Sequence, residues 1–385
     1  MNCKKCGSPG NVILRKKDSY CENCFITNTN HKFRACIGKN KVLRANDNVL
    51  VCLSGGIGST VLLDFIHNGI SMDSHKKLRI IPFFLHVKES EDASGSQAVK
   101  VIEQCRKLNF DVHIINISLF IESGTEPTSL NNIPQLNNET SDKFKRFLKS
   151  MPATVRNDLL LKIKRHLFTK YAKHLNCNYI LTAETTTTLA INLLSNLALG
   201  RGSQIQNEVG FYDARDDNIK VLRPMKEISQ EELTLYIKIK NLSPEHNSLL
   251  NDNSLQSVIG TFVTDLQENF PATISTICKT ADKIGIKVDS KKQGKCVICE
   301  NELGVVTSKL TALSATKFSR TVSNGRPENV DNFNSVIHLY DIKDNVNQSL
   351  FPHIHSCLCY GCSKNYSEME ISQMPNHVQK LFENK

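Results

Sequence analysis

The chain opens with two cysteine pairs, Cys3-x-x-Cys6 and Cys21-x-x-Cys24. A C-x-x-C turn points both thiolates at one centre, and two such turns complete a tetrahedron around Zn²⁺. Between the pairs, Val12-Ile13-Leu14-Arg15 has the composition of a hairpin that draws them together. So small a segment buries little core, and the metal would supply much of its folding energy. A second set lies near the other end. Cys296-x-x-Cys299 and Cys359-x-x-Cys362 complete a four-sulfur site across a long insertion, with Cys357 spare unless it exchanges with Cys359. His353 and His355 could compete as ligands there; the plainer reading makes them solvent-facing loop residues. The isolated Cys36, Cys52, Cys105, Cys177 and Cys278 read as small buried hydrophobes.

The other chemical signal is Ser54-Gly55-Gly56-Ile57-Gly58-Ser59-Thr60. It follows a buried-strand run and opens a helical one. Glycines let a backbone approach phosphate closely, a helix start offers free N–H groups, and hydroxyls add donors. The loop lacks the Lys of a Walker A sequence and is not a G-x-G-x-x-G fingerprint.

Positioning these residues requires an α/β core. Strand-like runs at 48–54, 78–87, 111–117, 178–182 and 219–222 alternate with helical spacing at 61–66, 96–108, 157–175 and 189–199. Ser229-Gln-Glu-Glu232 is a capping-box pattern opening a last helix to Lys240. The alternation predicts an open, mostly parallel sheet with helices on both faces. Residues 121–142, rich in Ser, Thr, Asn, Gly and Pro, read as a mobile loop, and 308–346 as a polar insertion. The expected organisation is an N-terminal zinc ribbon over 1–46, the α/β core with a helical extension over 47–290, and a C-terminal zinc ribbon with its insertion over 291–385.

Composition sets the outer bounds. The 385 residues carry a formal charge of +10 and are 40% hydrophobic and 22% charged, ordinary globular values that suit an anionic partner such as RNA. The first ten residues, MNCKKCGSPG, lack the apolar run of a secretory signal. No segment approaches the roughly 20 apolar residues of a membrane helix. The expectation is a soluble cytoplasmic chain with no membrane partner, whose fourteen cysteines serve metal rather than disulfides.

With S-G-G-x-x-S after its first core strand, the chain resembles the PP-loop ATP pyrophosphatase family, which activates substrates by adenylation. Cysteine pairs framing such a core resemble the tRNA thiolation group of that family. The opening C-x-x-C, then Tyr20-Cys-x-x-Cys-Phe25, Lys32-Phe33-Arg34, the glycine loop and the closing Cys357-Leu-Cys-Tyr-Gly-Cys362 are most similar to its non-catalytic subunits. The resemblance implies pairing as a heterodimer with a homologous catalytic thiolase. It implies sulfur from a thiocarboxylated ubiquitin-related modifier, delivered to C2 of the wobble uridine in tRNAs for Lys, Glu and Gln.

The departures from the catalytic pattern all fall on the reacting groups. Catalytic loops read S-G-G-x-D-S, and here Gly58 stands at the Asp. Where they have a Gly-His-x-x-Asp-Asp stretch, this chain has Ala183-Glu184-Thr185-Thr186-Thr187-Thr188, so Thr187 and Thr188 replace the paired acids. Their cysteines, which hold an iron–sulfur cluster or carry persulfide, align near Asn157, Leu160 and His246. The resemblance therefore implies no catalytic residue, no iron–sulfur cluster, two structural zinc sites, and a vestigial nucleotide loop at Ser54, Gly55, Gly56, Ser59 and Thr60 whose use of ATP stays open. Lys4, Lys5, Arg15, Lys16, Lys17, Lys32 and Arg34 are the candidate RNA contacts, with Arg201 and Arg223 placed near the sheet's C-terminal edge. The alternatives are an active ATP-dependent thiolase or adenylating ligase, and a zinc-ribbon RNA-binding scaffold.

Overall fold

A computed structural model describes residues 1–72, 77–89, 95–121, 129–134, 138–202, 205–245, 252–284, 294–303 and 358–366, with positions 316 and 320. Cys357, His353, His355, His246 and the polar insertion at 308–346, apart from positions 316 and 320, lie outside these.

Five strands form the parallel centre of a seven-stranded sheet: β3 (Asp47–Leu53), β4 (Ile80–Lys88), β5 (Val112–Asn116), β7 (Tyr179–Leu181) and β9 (Lys220–Leu222). Antiparallel two-residue strands close its edges, β6 (Ser129–Leu130) beside β5 and β8 (Tyr212–Asp213) beside β9, giving the order β6-β5-β4-β3-β7-β9-β8. The central strand β3 is buried on both faces from Val49 to Leu53, which is why it reads as an unbroken apolar run. The sequence reading identified all five parallel strands. It missed the two edge strands because two residues carry no periodicity.

Alternate residues of β3 point into two different cores. Val49, Val51 and Leu53 join the layer formed by α1 (Glu22–Asn40), α2 (Ile57–Ser71), α3 (Ser96–Lys107) and α8 (Gln230–Lys240). Leu50 and Cys52 join the layer formed by α4 (Asn138–Lys149), α5 (Ala153–His174) and the C-terminal cysteine set. A third cluster lies among α6 (Thr186–Ala198), α7 (Ile205–Val209), α9 (Leu255–Asn269) and α10 (Pro271–Ile284). Among the described residues, no helix is long and apolar enough to cross a membrane.

Two readings need correction. The stretch 121–142 is not one loop: β6 interrupts it, and α4 begins at Asn138 and buries Phe144, Phe147 and Leu148. Its Ser, Thr and Asn content masked an amphipathic face. The N-terminal segment, expected to be a zinc ribbon that buries little core, contains the 19-residue α1. Its buried stripe of Phe25, Thr29, Phe33, Cys36 and Ile37 includes polar and sulfur residues, which blurs the pattern. Phe33 packs on Phe65 with ring centroids 5.1 Å apart, and Phe65 packs edge-on against Tyr236 at 5.0 Å. The capping box of α8 is fully formed. Its Glu232 bonds back to the Ser229 backbone and pairs with Lys32 of α1 at 2.5 Å, tying the N-terminal segment to the core.

Candidate metal centres and the glycine loop

The hairpin of β1 (Val12–Leu14) and β2 (Asp18–Tyr20) pairs Val12 with Tyr20 and so folds Cys21 back toward Cys3. The Sγ atoms of Cys3, Cys6, Cys21 and Cys24 all lie within 4.8 Å of one another, with Cys6 and Cys21 3.7 Å apart. Thiolates about 2.3 Å from a central zinc are about 3.8 Å from each other, so this spacing fits a single tetrahedral ion. Cys24 is in the first turn of α1, whose buried stripe fixes its direction. The ligands are unevenly covered: Cys3 is buried, Cys21 and Cys24 are half-buried and Cys6 is exposed.

The second set repeats the geometry. Cys296, Cys299, Cys359 and Cys362 gather within the same 4.8 Å, and Cys299 lies 3.6 Å from Cys359. Its knuckle copies the first. The residues flanking each leading pair are bridged alike, Asn2 to Pro9 and Lys295 to Glu302. The leading cysteine donates its N–H across the turn to Ser8 in one and to Asn301 in the other. Cys359 caps the short helix α11 (Tyr360–Asn365), its side chain accepting from the Cys362 N–H. Three of these four cysteines are buried. Hydrogen bonds from neighbouring thiols lower Cys296 and Cys359 to about 7, while the same contacts push Cys362 well up, as four thiols sharing protons do. The isolated Cys36, Cys52, Cys105, Cys177 and Cys278 are all buried, and burial pushes the Cys36 and Cys105 thiols up to about 12.

The glycine loop lies between β3 and α2, at the sheet's C-terminal edge. Its hydroxyls are turned inward: Ser59 and Thr60 are buried, and both donate to the Gly56 carbonyl at 3.0 Å. Ser54 is exposed and its Oγ lies 3.3 Å from that of Ser59. The N–H of Glu245 donates to the Gly55 carbonyl at 2.9 Å, while its carboxylate pairs with Lys100, so 243–245 is pinned beside the loop. A Cβ at Gly58 would sit 2.9 Å from the Ala183 backbone carbonyl, closer than such contacts occur. The position therefore has neither a carboxylate nor the room for one. Thr187 and Thr188 open α6, where Thr185 accepts from the Thr188 N–H; Glu184, the one acid in that stretch, is paired with Arg223 at 2.7 Å. Asn157 is buried and donates to Asp252 at 2.8 Å and Ser254 at 3.0 Å, and Leu160 lies one turn further along α5.

The basic residues separate into exposed and engaged groups. Arg15, Lys16 and Lys17 stand exposed on the β1–β2 turn. Lys4 pairs with Asp18, and Lys5 donates to Asn28 at 3.2 Å. Lys32 faces inward to Glu232, and Arg34 contacts the Met72 sulfur. Arg201 and Arg223 are not surface cations: both are buried, and Arg223 is spent on Glu184 and the carbonyls of Gly210 and Asn207.

Arg201 belongs to a network that sequence reasoning missed. Its two terminal nitrogens each lie 2.8 Å from Asp158, and one is 3.6 Å from Cys362 Sγ. Asp158 also accepts from Lys162, Asn365 and Tyr366. Burial opposes its ionisation, yet Lys162 and Arg201 hold the carboxyl well below the usual range. A second network, Arg215 and Arg165 with Asp213, Glu208 and Glu300, carries the Cys299 carbonyl on Arg215 at 3.0 Å. The available signals were slight: an Asp-Lys pair four apart on α5, and a Tyr four residues after the last cysteine.

Comparison with known proteins gives one consistent answer. A sequence model described as cytoplasmic tRNA 2-thiolation protein 2 matches residues 254–364. The protein of that name from Drosophila virilis is 30% identical over 332 residues, covering 84% of this chain and 80% of its own. Cytoplasmic tRNA 2-thiolation protein 2-A from Xenopus laevis is 28% identical over 395 residues, covering 85% and 77%. Among solved structures, the U34-tRNA thiolase NcsA from Methanococcus maripaludis with its [4Fe-4S] cluster has a TM-score of 0.60 at 18% identity, covering 82% of this chain and 98% of that one. That likeness establishes a shared α/β fold of the PP-loop type. On the strength of the relatives, the chain belongs to the cytoplasmic tRNA 2-thiolation protein 2 family.

Proposed function

We propose that this chain acts in cytoplasmic tRNA 2-thiolation as a non-catalytic subunit. It pairs with a homologous PP-loop thiolase that does the chemistry on the wobble uridine of the tRNAs for Lys, Glu and Gln. The sulfur comes from a thiocarboxylated ubiquitin-related modifier carried to that partner. Family membership supports the pathway. The single observation that carries the non-catalytic role is Gly58, held against the Ala183 carbonyl where catalytic loops place an Asp for phosphate and Mg²⁺. Thr187, Thr188, Asn157 and Leu160 add the same message, each standing at a position where the catalytic pattern has an acid or a cysteine.

The chain's own contribution, on this reading, is a scaffold with a basic edge. Zinc in the two four-cysteine sites supplies cross-linking and folding energy rather than reactivity, and we assign two zinc ions and no iron–sulfur cluster. The ribbons at 1–46 and 291–385 flank the core at 47–290. Arg15, Lys16 and Lys17 project from the first ribbon and suit phosphates, with Lys4 and Lys5 nearby, so RNA affinity falls steeply with salt.

The decisive test has two arms. Mass spectrometry of wobble uridine from cells depleted of this protein should show loss of 2-thiouridine; unchanged 2-thiouridine removes the pathway assignment. The purified chain, and its Gly58→Asp variant, should both give negligible ATP–pyrophosphate exchange. Robust exchange by the unmodified chain would restore the catalytic reading.

A further inference from the structure

Granted the metal site proposed above, we infer that Arg201 is the buried counter-ion of the C-terminal four-cysteine centre. Through it, metal occupancy and the docking of the ribbon on α5 form a single equilibrium. A Zn²⁺ ion with four thiolates carries two net negative charges, and burying such an anion requires compensation. Arg201 provides it from one side. Its guanidinium is almost wholly enclosed, bonded to Asp158 through both terminal nitrogens and 3.6 Å from Cys362 Sγ.

The contacts make the Cys362 sulfur part of the network. Arg201 and Lys162 both pair with Asp158, and the guanidinium reaches past that carboxylate to the Cys362 sulfur. The neighbouring cluster sets three acids, Asp213, Glu208 and Glu300, against Arg165 and Arg215, and its Glu208 also faces Lys162, so the two networks adjoin. Arg201 Nε is buried with no hydrogen-bond partner among the described residues, and one terminal nitrogen also donates to Asn196 Oδ1 at 3.3 Å. Releasing the metal frees the Cys362 sulfur from its fixed place beside the enclosed guanidinium, so the contact that seats α11 against Arg201 is loosened at its sulfur end.

The chain geometry couples this charge to the ribbon's seating. Cys362, Asn365 and Tyr366 lie within and at the end of the one short helix α11, so the helix that carries the sulfur also donates twice to Asp158, at 2.9 and 2.8 Å. Gly361 lets the two elements touch. A Cβ there would fall 2.5 Å from Arg201 Cγ and 2.6 Å from the Leu199 carbonyl. Arg201 is thus a positioning residue for a metal ligand, and its removal acts on the metal through that ligand.

Zinc release from the full-length protein into excess chelator tests this. Release should be biphasic, with the slow phase assigned to the C-terminal site by its persistence in Cys6→Ser. In Arg201→Gln the slow phase should accelerate at least about 10-fold with the fast phase unchanged, and Arg201→Lys should recover part of the difference. A slow phase unaltered in Arg201→Gln overturns the inference. Hydrogen exchange on the unmodified protein supplies an independent arm that needs no folded variant. Stripping the slow zinc should raise exchange across the first half of α5 and at 196–201 while sparing β3. Unchanged exchange there equally overturns it. Metal analysis separates the two levels: fewer than two zincs per chain removes the metal assignment and this inference with it. Two zincs with an unaltered slow phase remove the inference alone.

Discussion

At the N-terminal nodule Cys6 is exposed and Cys21 and Cys24 half-buried; at the C-terminal nodule three of four sulfurs are buried and a guanidinium lies against one of them. The knuckles themselves are alike, down to the bridge that flanks each leading pair. What differs is the protein around them. The first nodule belongs to the core that takes Val49 and Val51 from β3, and reaches it through Val12, Leu14 and the long α1. The second belongs to the opposite core, and its sulfurs are themselves part of that core's packing. A shared local motif therefore does not entail a shared energetic role. On the zinc reading proposed above, the metal in one nodule organises a hairpin with an exposed ligand, and in the other it sits against a buried ion-pair network.

The largest contrast should come from removing one ligand at each site. Cys362→Ser should destabilise the protein by about 3–5 kcal/mol, as expected when one partner of a buried charge cluster is lost. Cys6→Ser should cost less than about 2 kcal/mol while releasing its zinc, because that ligand is exposed. Thermal unfolding with parallel zinc counts measures both, and equal losses would erase the distinction drawn here.

Next in size is Gly361→Ala, which forces an atom against Arg201 and the Leu199 carbonyl and should cost about 1–3 kcal/mol. It should leave zinc at the first site untouched. The smallest effect concerns Glu300, which follows the second knuckle and pairs with Arg165. Burial opposes its ionisation, but His166 and Arg165 hold it near 2. A depressed carboxyl pKa contributes stability that is fully present above the unfolded value of about 4.3 and is lost as pH falls toward 2. Glu300→Gln should therefore cost about 1 kcal/mol at neutral pH, after discounting for solvent screening of a side chain 34% exposed. The gap between variant and parent should close between about pH 4 and pH 2, read by chemical denaturation across that range.

Sequence alone exposed the periodic and the punctuated parts of this molecule. Long apolar runs such as 49–53, the capping box at Ser229 and the paired cysteines each carry a local signature, so strands, helix α8 and both sulfur clusters were legible. Helix α1 was not, since Thr29 and Cys36 sit on its buried face and dilute the stripe. Arg201 and Arg223 looked like phosphate contacts because an arginine near a sheet's C-terminal edge carries no mark of burial in its own sequence. Only the tertiary fold brings Asp158, more than forty residues before Arg201, and Cys362, about 160 after it, to the same guanidinium.

The close approach of Gly58 to Ala183 has a consequence for any attempt to place an acid there. The Ala183 segment is fastened on both sides: the Thr182 N–H bonds the Leu222 carbonyl, and Thr186 bonds the Lys226 and Ile228 carbonyls. An aspartate introduced at Gly58 would have to push against a strand end and a helix start that are both tied down. The loop is held in place by its surroundings. Seating an acid at this position requires concerted repacking of two chain segments, so Gly58→Asp alone does not fit without displacing both.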